Sequence, residues 1–269
     1  MSDTAILIIS CDKYYDTWEK VLFSFDRFWC NSKYNIYMIS NHKYINHDHI
    51  KNIRVGHDLS WSSNLQIALN EIKEDFIILW LDDTFLCGEV DQVEIEKDIE
   101  WFKENKIDYL NMRNSNIYLI NEKNRYILIE ESEPYRNSIF CTLWNKKVLI
   151  DLLRKDENAW QFEFRGSERS IKYKNYFTVD VSRFKYIHGI EKGLWLRTAV
   201  AWIKSNKLNL DLNYRRQMSI QHSLVYNLSQ LKGNFLNMMP SKYRKVILQF
   251  SQKLYLITGL RDKNYYNNK

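Results

Sequence analysis

Apolar residues in this chain fall into two patterns, short unbroken runs and longer stretches with helical spacing. The runs AILIIS (5–10), NIYMIS (35–40) and FIILWL (76–81) lack the alternation of a strand with one wet face. They predict strands covered on both faces, as in a parallel sheet. Between them, TWEKVLFSFDRFW (17–29) and SSNLQIALNEIKE (62–74) space their apolar residues at helical intervals, and NIRV (52–55) predicts a short third strand. The resulting β-α-β-β-α-β order predicts an α/β fold with crossover helices on a doubly wound sheet.

After a helix predicted over roughly 93–106, the text becomes strand-rich at DYLNM (108–112), NIYLI (116–120), RYILIE (125–130) and SIFCTLW (138–144). Helical spacing returns at KKVLIDLLRK (146–155), followed by the strand-like FTVDV (177–181) and FKYIH (184–188). Neither an internal repeat nor a structureless linker divides residues 1–212, which are expected to form one catalytic unit.

Composition narrows the class. Only 7 Gly and 2 Pro occur among 269 residues and 15% are aromatic, which excludes a disordered or low-complexity chain. Cys11, Cys30, Cys87 and Cys141 contain no C-x-x-C pair, so reduced thiols are expected rather than a disulfide frame. The first ten residues lack a leader pattern, and no run approaches the roughly 18 apolar residues of a membrane span. A cytoplasmic protein is expected.

The net charge of +6 is unevenly held. Residues 213–269 carry ten Lys and Arg against the single acid Asp262, leaving 29 basic and 32 acidic residues before them. This predicts a basic, helical C-terminal extension whose partner is an anionic surface, either membrane or nucleic acid. Within it Tyr243, Val246, Ile247, Phe250, Leu254 and Ile257 recur at helical spacing between Pro240 and Gly259. A helix lying on anionic lipid has that pattern.

P-loop, dinucleotide, nucleophile-elbow and H-E-x-x-H motifs are all absent from the sequence. What stands out is Asp82-Asp83 at the end of FIILWL. Ligands bind at that edge of open α/β sheets, and two adjacent carboxylates gain from sharing a divalent cation with a phosphate-bearing substrate. An Asp turn or a helix cap reads equally well at this point.

Four blocks, in order, carry a resemblance: ILIISCDKYYDTWEKVLFSF (6–25), WSSNLQIALNEIKEDFIILWLDDTFL (61–86), SIFCTLWNKKVL (138–149) and ENAWQFEFRGSERS (157–170). Together they resemble the bacterial polysaccharide glycosyltransferases of O-antigen and capsule assembly, across roughly residues 4–200. The resemblance implies a GT-A-like fold, a Rossmann-type mixed sheet with flanking helices. It also implies transfer of a hexose-like sugar from a nucleotide-diphosphate donor to a glycan, lipid-linked, at the inner face of the membrane. Mg²⁺ or Mn²⁺ is the implied cofactor. This chain departs from the usual D-x-D in reading Asp82-Asp83-Thr84.

Carried onto the sequence, the resemblance assigns Asp83, Asp82 and His188 to the metal. Ser10, Asp12, Trp61, Asn64 and Asp82 go to the nucleotide sugar, with Arg169 and Lys192 facing its diphosphate. Glu163, between Phe162 and Phe164, is the expected general base, because apolar neighbours raise a carboxylate's affinity for a proton. Glu168 is the reserve, and Gly166 is read as a turn position. Direct attack assisted by such a base inverts the anomeric centre. Two other readings stand beside this one. A nucleic-acid-binding protein would use the Tyr-rich basic tail but gain nothing from convergent carboxylates, so no nucleic acid is expected as partner. A nucleotidyltransferase would share the metal carboxylates and release pyrophosphate.

Overall fold

The computed structural model describes residues 3–114, 124–133 and 135–237. Its first half follows the predicted order: β1 (Thr4–Ile9), α1 (Tyr15–Phe28), β2 (Asn35–Ser40), β3 (Ile50–Arg54), α2 (Trp61–Glu71) and β4 (Phe76–Leu81). The four strands are parallel, in the spatial order β3-β2-β1-β4.

The second half comprises β5 (Thr84–Leu86), α3 (Gln92–Glu104), β6 (Tyr109–Asn111), β7 (Tyr126–Leu128), β8 (Thr142–Asn145), α4 (Lys146–Leu152), α5 (Ala159–Arg169) and β9 (Tyr176–Val179). It continues through β10 (Tyr186–His188), β11 (Ile190–Glu191), β12 (Leu194–Trp195), α6 (Arg197–Ser205) and α7 (Ile220–Asn237). β8 inserts antiparallel between β4 and β6, and β9 and β7 complete an eight-stranded mixed sheet. The chain is an α/β protein with helices on both faces of that sheet.

The unbroken apolar runs are explained by two cores. Along β4, Ile78 and Trp80 pack with Phe25 of α1, Phe102 of α3 and Ile203 of α6. Ile77 and Leu79 pack on the other face with Leu65 of α2, Leu149 of α4 and Phe162 of α5. Successive strand residues point to opposite faces, so a strand with helices on both sides must be apolar at every position. Each such side chain contributes about 1.5–3 kcal/mol on burial.

Gly166 corrects the turn reading, because it lies inside α5. The pattern there is explained by closeness. A Cβ on Gly166 would stand 2.8 Å from Asn137 Nδ2 and 3.3 Å from the Phe162 ring. The helix is opened by a capping box in which Asn158 and Gln161 satisfy each other's backbone N–H groups.

The packed body continues past residue 212. Arg215 donates to Asp16 at 2.8 and 2.9 Å, its guanidinium lies 4.6 Å from the Tyr14 ring centroid, and Met218 is buried in the core. Beyond it, α7 exposes Ile220, Leu224, Leu228 and Leu231. The strand expected at 116–120 and the apolar stripe from Tyr243 to Ile257 lie outside the described residues. Among the described residues, no helix is long and apolar enough to cross a membrane.

Candidate active site

β2 lies on one side of β1 and β4 on the other, so the chain's winding reverses between β1 and β4. Such a switch point opens a crevice beyond the carboxyl ends of the strands. Here it is a cavity of about 1010 Å³, reached by the ends of β1 and β4, α2, α5, the segment before β8 and the hairpin after β10.

At one end of it sit the two aspartates. Trp18 Nε1 donates to Ser10 Oγ at 2.6 Å, and Ser10 in turn donates to a carboxylate oxygen of Asp82. Burial, with the negative charge of Asp83 beside it, pushes Asp82 well above the usual carboxylate range. Asp83 is pushed up to about 6, chiefly by burial, with Glu191 adding to the effect. Two adjacent carboxylates, one buried and one half-buried, that resist ionisation are a donor set suited to a hard cation. Among the described residues, no group of three or more His, Cys, Asp or Glu is placed to hold a metal ion together, so the expected set of Asp82, Asp83 and His188 does not converge on one point here. An ion held by the two aspartates would take the rest of its shell from ligand oxygens and water, as Mg²⁺ commonly does.

His188 reaches the same end through strand pairing. β10 runs antiparallel to β5 with His188 opposite Thr84, and the imidazole Nδ1 lies 3.3 Å from Thr84 Oγ1. Although the residue is exposed to the crevice, desolvation by the surrounding protein and the nearby Arg113 charge lower its pKa to about 4, so the ring is neutral at physiological pH. The next residue, Gly189, donates its N–H to the Asp83 carbonyl at 2.6 Å. A Cβ on Gly189 would stand 2.8 Å from that oxygen and 2.9 Å from the Phe85 ring. Lys192 and Gly193 form the two-residue turn between β11 and β12, both with positive φ (51° and 75°), the conformation such hairpins favour.

Glu163 also lines the cavity, half-buried on α5. Its Oε1 accepts from Ile139 N–H at 3.2 Å, and Ser138 stands beside it. Burial raises its pKa, against the opposing pull of that N–H, of Arg113 and of Ser138. The segment carrying Ser138 and Ile139 is clamped to α5 because Asn137 N–H donates to Ser167 Oγ at 2.9 Å.

Of the residues singled out in the sequence, Ser10, Trp61, Asn64, Asp82, Asp83, Glu163, His188 and Lys192 line this one cavity. Three do not. The Asp12 carboxylate instead accepts backbone N–H groups from Asn41, His42 and Lys43 at 3.0–3.2 Å, tying the loop after β2 to the loop after β1. Arg169 closes a fork on Glu157 at 2.8 and 2.6 Å and on the Leu152 carbonyl. Glu168 is exposed on α5 and lines no part of the cavity. Asn64 is already engaged, donating to Asp58 Oδ1 at 2.8 Å, and the Trp61 ring lies 5.3 Å from Phe162.

Sequence reading missed Tyr14, Asp58, Arg113, Ser138 and Trp160, which also line the cavity. They come from loops and short elements without periodicity. The one signal available for Trp160 was an indole at the exposed start of a capped helix.

No protein-family model and no curated protein matches the chain. Solved structures do match it. The 1–349 fragment of TarS from S. aureus superposes with a TM-score of 0.52 over 98% of this chain and 77% of that one, at 10% identity. The likeness is one of fold. The same fragment in complex with UDP aligns with a TM-score of 0.48 at 11% identity, over 69% of this chain. Its complex with UDP-GlcNAc aligns with a TM-score of 0.48 at 9% identity, over 72%. In those two alignments the chain spans 60% of the TarS fragment's length.

Proposed function

We propose that this protein is an inverting glycosyltransferase that moves a hexose-like sugar from a nucleotide-diphosphate donor to a glycan acceptor in cell-surface polysaccharide assembly. The observation that carries this reading is one cavity, at the β1/β4 switch point, lined both by the adjacent Asp82 and Asp83 and by the half-buried Glu163. Glycosyl transfer needs both. The departing diphosphate must be neutralised, and the attacking hydroxyl must lose its proton. The fold shared with TarS, a protein crystallised with UDP and with UDP-GlcNAc, agrees with such a donor.

In this mechanism Asp82 and Asp83 would hold Mg²⁺ or Mn²⁺, which would supply positive charge to the diphosphate oxygens, and the neutral His188 would join the shell only by moving toward them. Lys192, at the hairpin tip, adds a point charge on the same side. Trp61 and Asn64 flank the nucleotide, and Trp160, 62% exposed, offers an indole face to a sugar ring. Glu163 accepts the proton of the acceptor hydroxyl while that oxygen bonds to the anomeric carbon. The bond from that carbon to the diphosphate oxygen breaks, and attack from the opposite face inverts the centre. The Ile139 N–H holds the carboxylate in place.

Thermal denaturation with UDP and Mn²⁺, and separately with a mixed-sequence oligonucleotide, tests the reading. A ligand at about 100 times its Kd is expected to raise Tm on the order of 5–10 °C. A rise with the nucleoside diphosphate alone is expected, followed by slow release of UDP from one member of a panel of nucleotide sugars. A rise with the oligonucleotide alone, or release of pyrophosphate, ends it.

The acceptor is lipid-linked in this reading, and the protein rests on the inner face of the membrane. Four exposed apolar residues along α7, followed by a chain with seven basic residues from Lys242 onward, have the composition of a surface attracted to anionic lipid. The protein is expected to float with phosphatidylglycerol vesicles at low salt, and a chain ended at residue 218 to stay below. Equal flotation of both forms would assign the contact elsewhere.

A further inference from the structure

Arg113 differs from the other well-packed arginines in lining the cavity, although Arg136 likewise lacks an ion pair and an Nε–H partner among the described residues. Arg125 and Arg183 converge on the buried Asp98, Arg169 holds Glu157, Arg215 holds Asp16, and Arg136 donates to the carbonyls of Ser170 and Tyr173. Arg113 makes no ion pair among the described residues. Its Nη2 donates to Ser138 Oγ at 3.0 Å and its Nη1 reaches Tyr186 Oη at 3.5 Å, both neutral hydroxyls. Among the described residues the buried Nε–H has no partner, and the guanidinium lies 5.0 Å from the Phe140 ring centroid. Glu163 is within its electrostatic reach but bonds to the Ile139 N–H, so among the described residues the enclosed positive charge has no direct ion-pair partner, and two hydroxyls offset little of its cost. The cavity it lines is where the missing charge can enter.

We propose that Arg113 binds a carboxylate or phosphate group on the acceptor, so that the acceptor is an anionic saccharide. That an acceptor is involved rests on the glycosyltransferase reading, whereas anion binding at Arg113 rests on its geometry alone. Its strongest contact places it beside the base. Arg113 donates to the Ser138 hydroxyl, and the next residue, Ile139, donates its N–H to Glu163. An anion seated on Arg113 would therefore lie beside the group that deprotonates the acceptor hydroxyl. A guanidinium fork matches two oxygens of a carboxylate or phosphate at once, and a neutral sugar leaves it unsatisfied.

Isothermal titration of the full chain with D-glucuronate, D-glucose 6-phosphate and D-glucose tests this. At least one charged sugar is expected to bind about 10–100-fold more tightly than glucose, the usual worth of a hydrogen-bonded charge. Which one does so distinguishes carboxylate from phosphate. Arg113→Met is expected to abolish the preference and Arg113→Lys, which keeps the charge but loses the fork, to reduce it. Both variants should keep the wild-type affinity for UDP, which reports on the donor site. Equal binding of charged and neutral sugars by the wild type, or a preference that survives Arg113→Met, overturns the proposal. Failure of the glycosyltransferase reading would look different: no UDP binding, with the preference for charged sugars intact.

Discussion

Replacing Asp82 and Asp83 together by Asn is expected to lower turnover at least about 10²–10³-fold while leaving the protein as stable as before, or more so, at pH 7. Each substitution keeps the shape of the side chain, and an amide oxygen at position 82 can still accept from Ser10. What disappears is charge. Both carboxylates titrate above the ordinary range, so folding disfavours their ionised forms. For Asp83 the stability is fully present below the unfolded value of 3.8 and is lost as pH rises through about 6. The Asn variant escapes that loss, so its advantage in Tm should appear between about pH 4 and 6 and persist above. Mn²⁺ with UDP should raise the Tm of the wild type and not that of the double variant. Full turnover in the double variant, or an undiminished Mn²⁺ effect, would remove the aspartates from the donor end.

Glu163→Gln is expected to lower turnover by about 10²–10⁴-fold, the range measured for a general base, with UDP affinity unchanged. Glutamine keeps an oxygen for the Ile139 N–H, so the local structure should survive. The pH profile gives a second readout. Because burial raises the Glu163 pKa, activity should fall on the acid side at a pH above the 4.5 of an ordinary glutamate, and that limb should vanish in the variant. Unchanged turnover would release Glu163 from the role, and exposed Glu168, outside the cavity, would be a poor successor.

The parallel half of the sheet was readable because its strands have helices on both sides, and the chain must then write apolar residues without interruption, as in FIILWL. The antiparallel insertion of β8 between β4 and β6 was not readable. Pairing partners depend on contacts far apart in sequence, and a strand as short as Thr142–Asn145 carries no periodicity. Helix α5 was obscured by Gly166 and by exposed aromatics, Trp160 and Phe164, which dilute its apolar face. The location of Asp82 and Asp83 followed from the strand they end. Asp12 and Arg169 looked equally suited to a ligand, and only the backbone amides around one and Glu157 beside the other show where their charge is used. Arg113 had no signature at all, being one arginine beyond a three-residue strand.

The bond from Gly189 N–H to the Asp83 carbonyl joins the loop carrying the aspartate pair to the strand carrying His188 and onward to the Lys192 turn. A residue with a side chain at 189 would force these walls apart against the Phe85 ring. Along that line, the width of the crevice is set when the chain folds. A ligand arriving there meets neighbours already in position, and the entropy of ordering a swinging hairpin is lost once, during folding, rather than at every encounter. Affinity at this end then depends on how well the incoming charge fits a fixed gap, so discrimination among donors there is a matter of size and charge spacing.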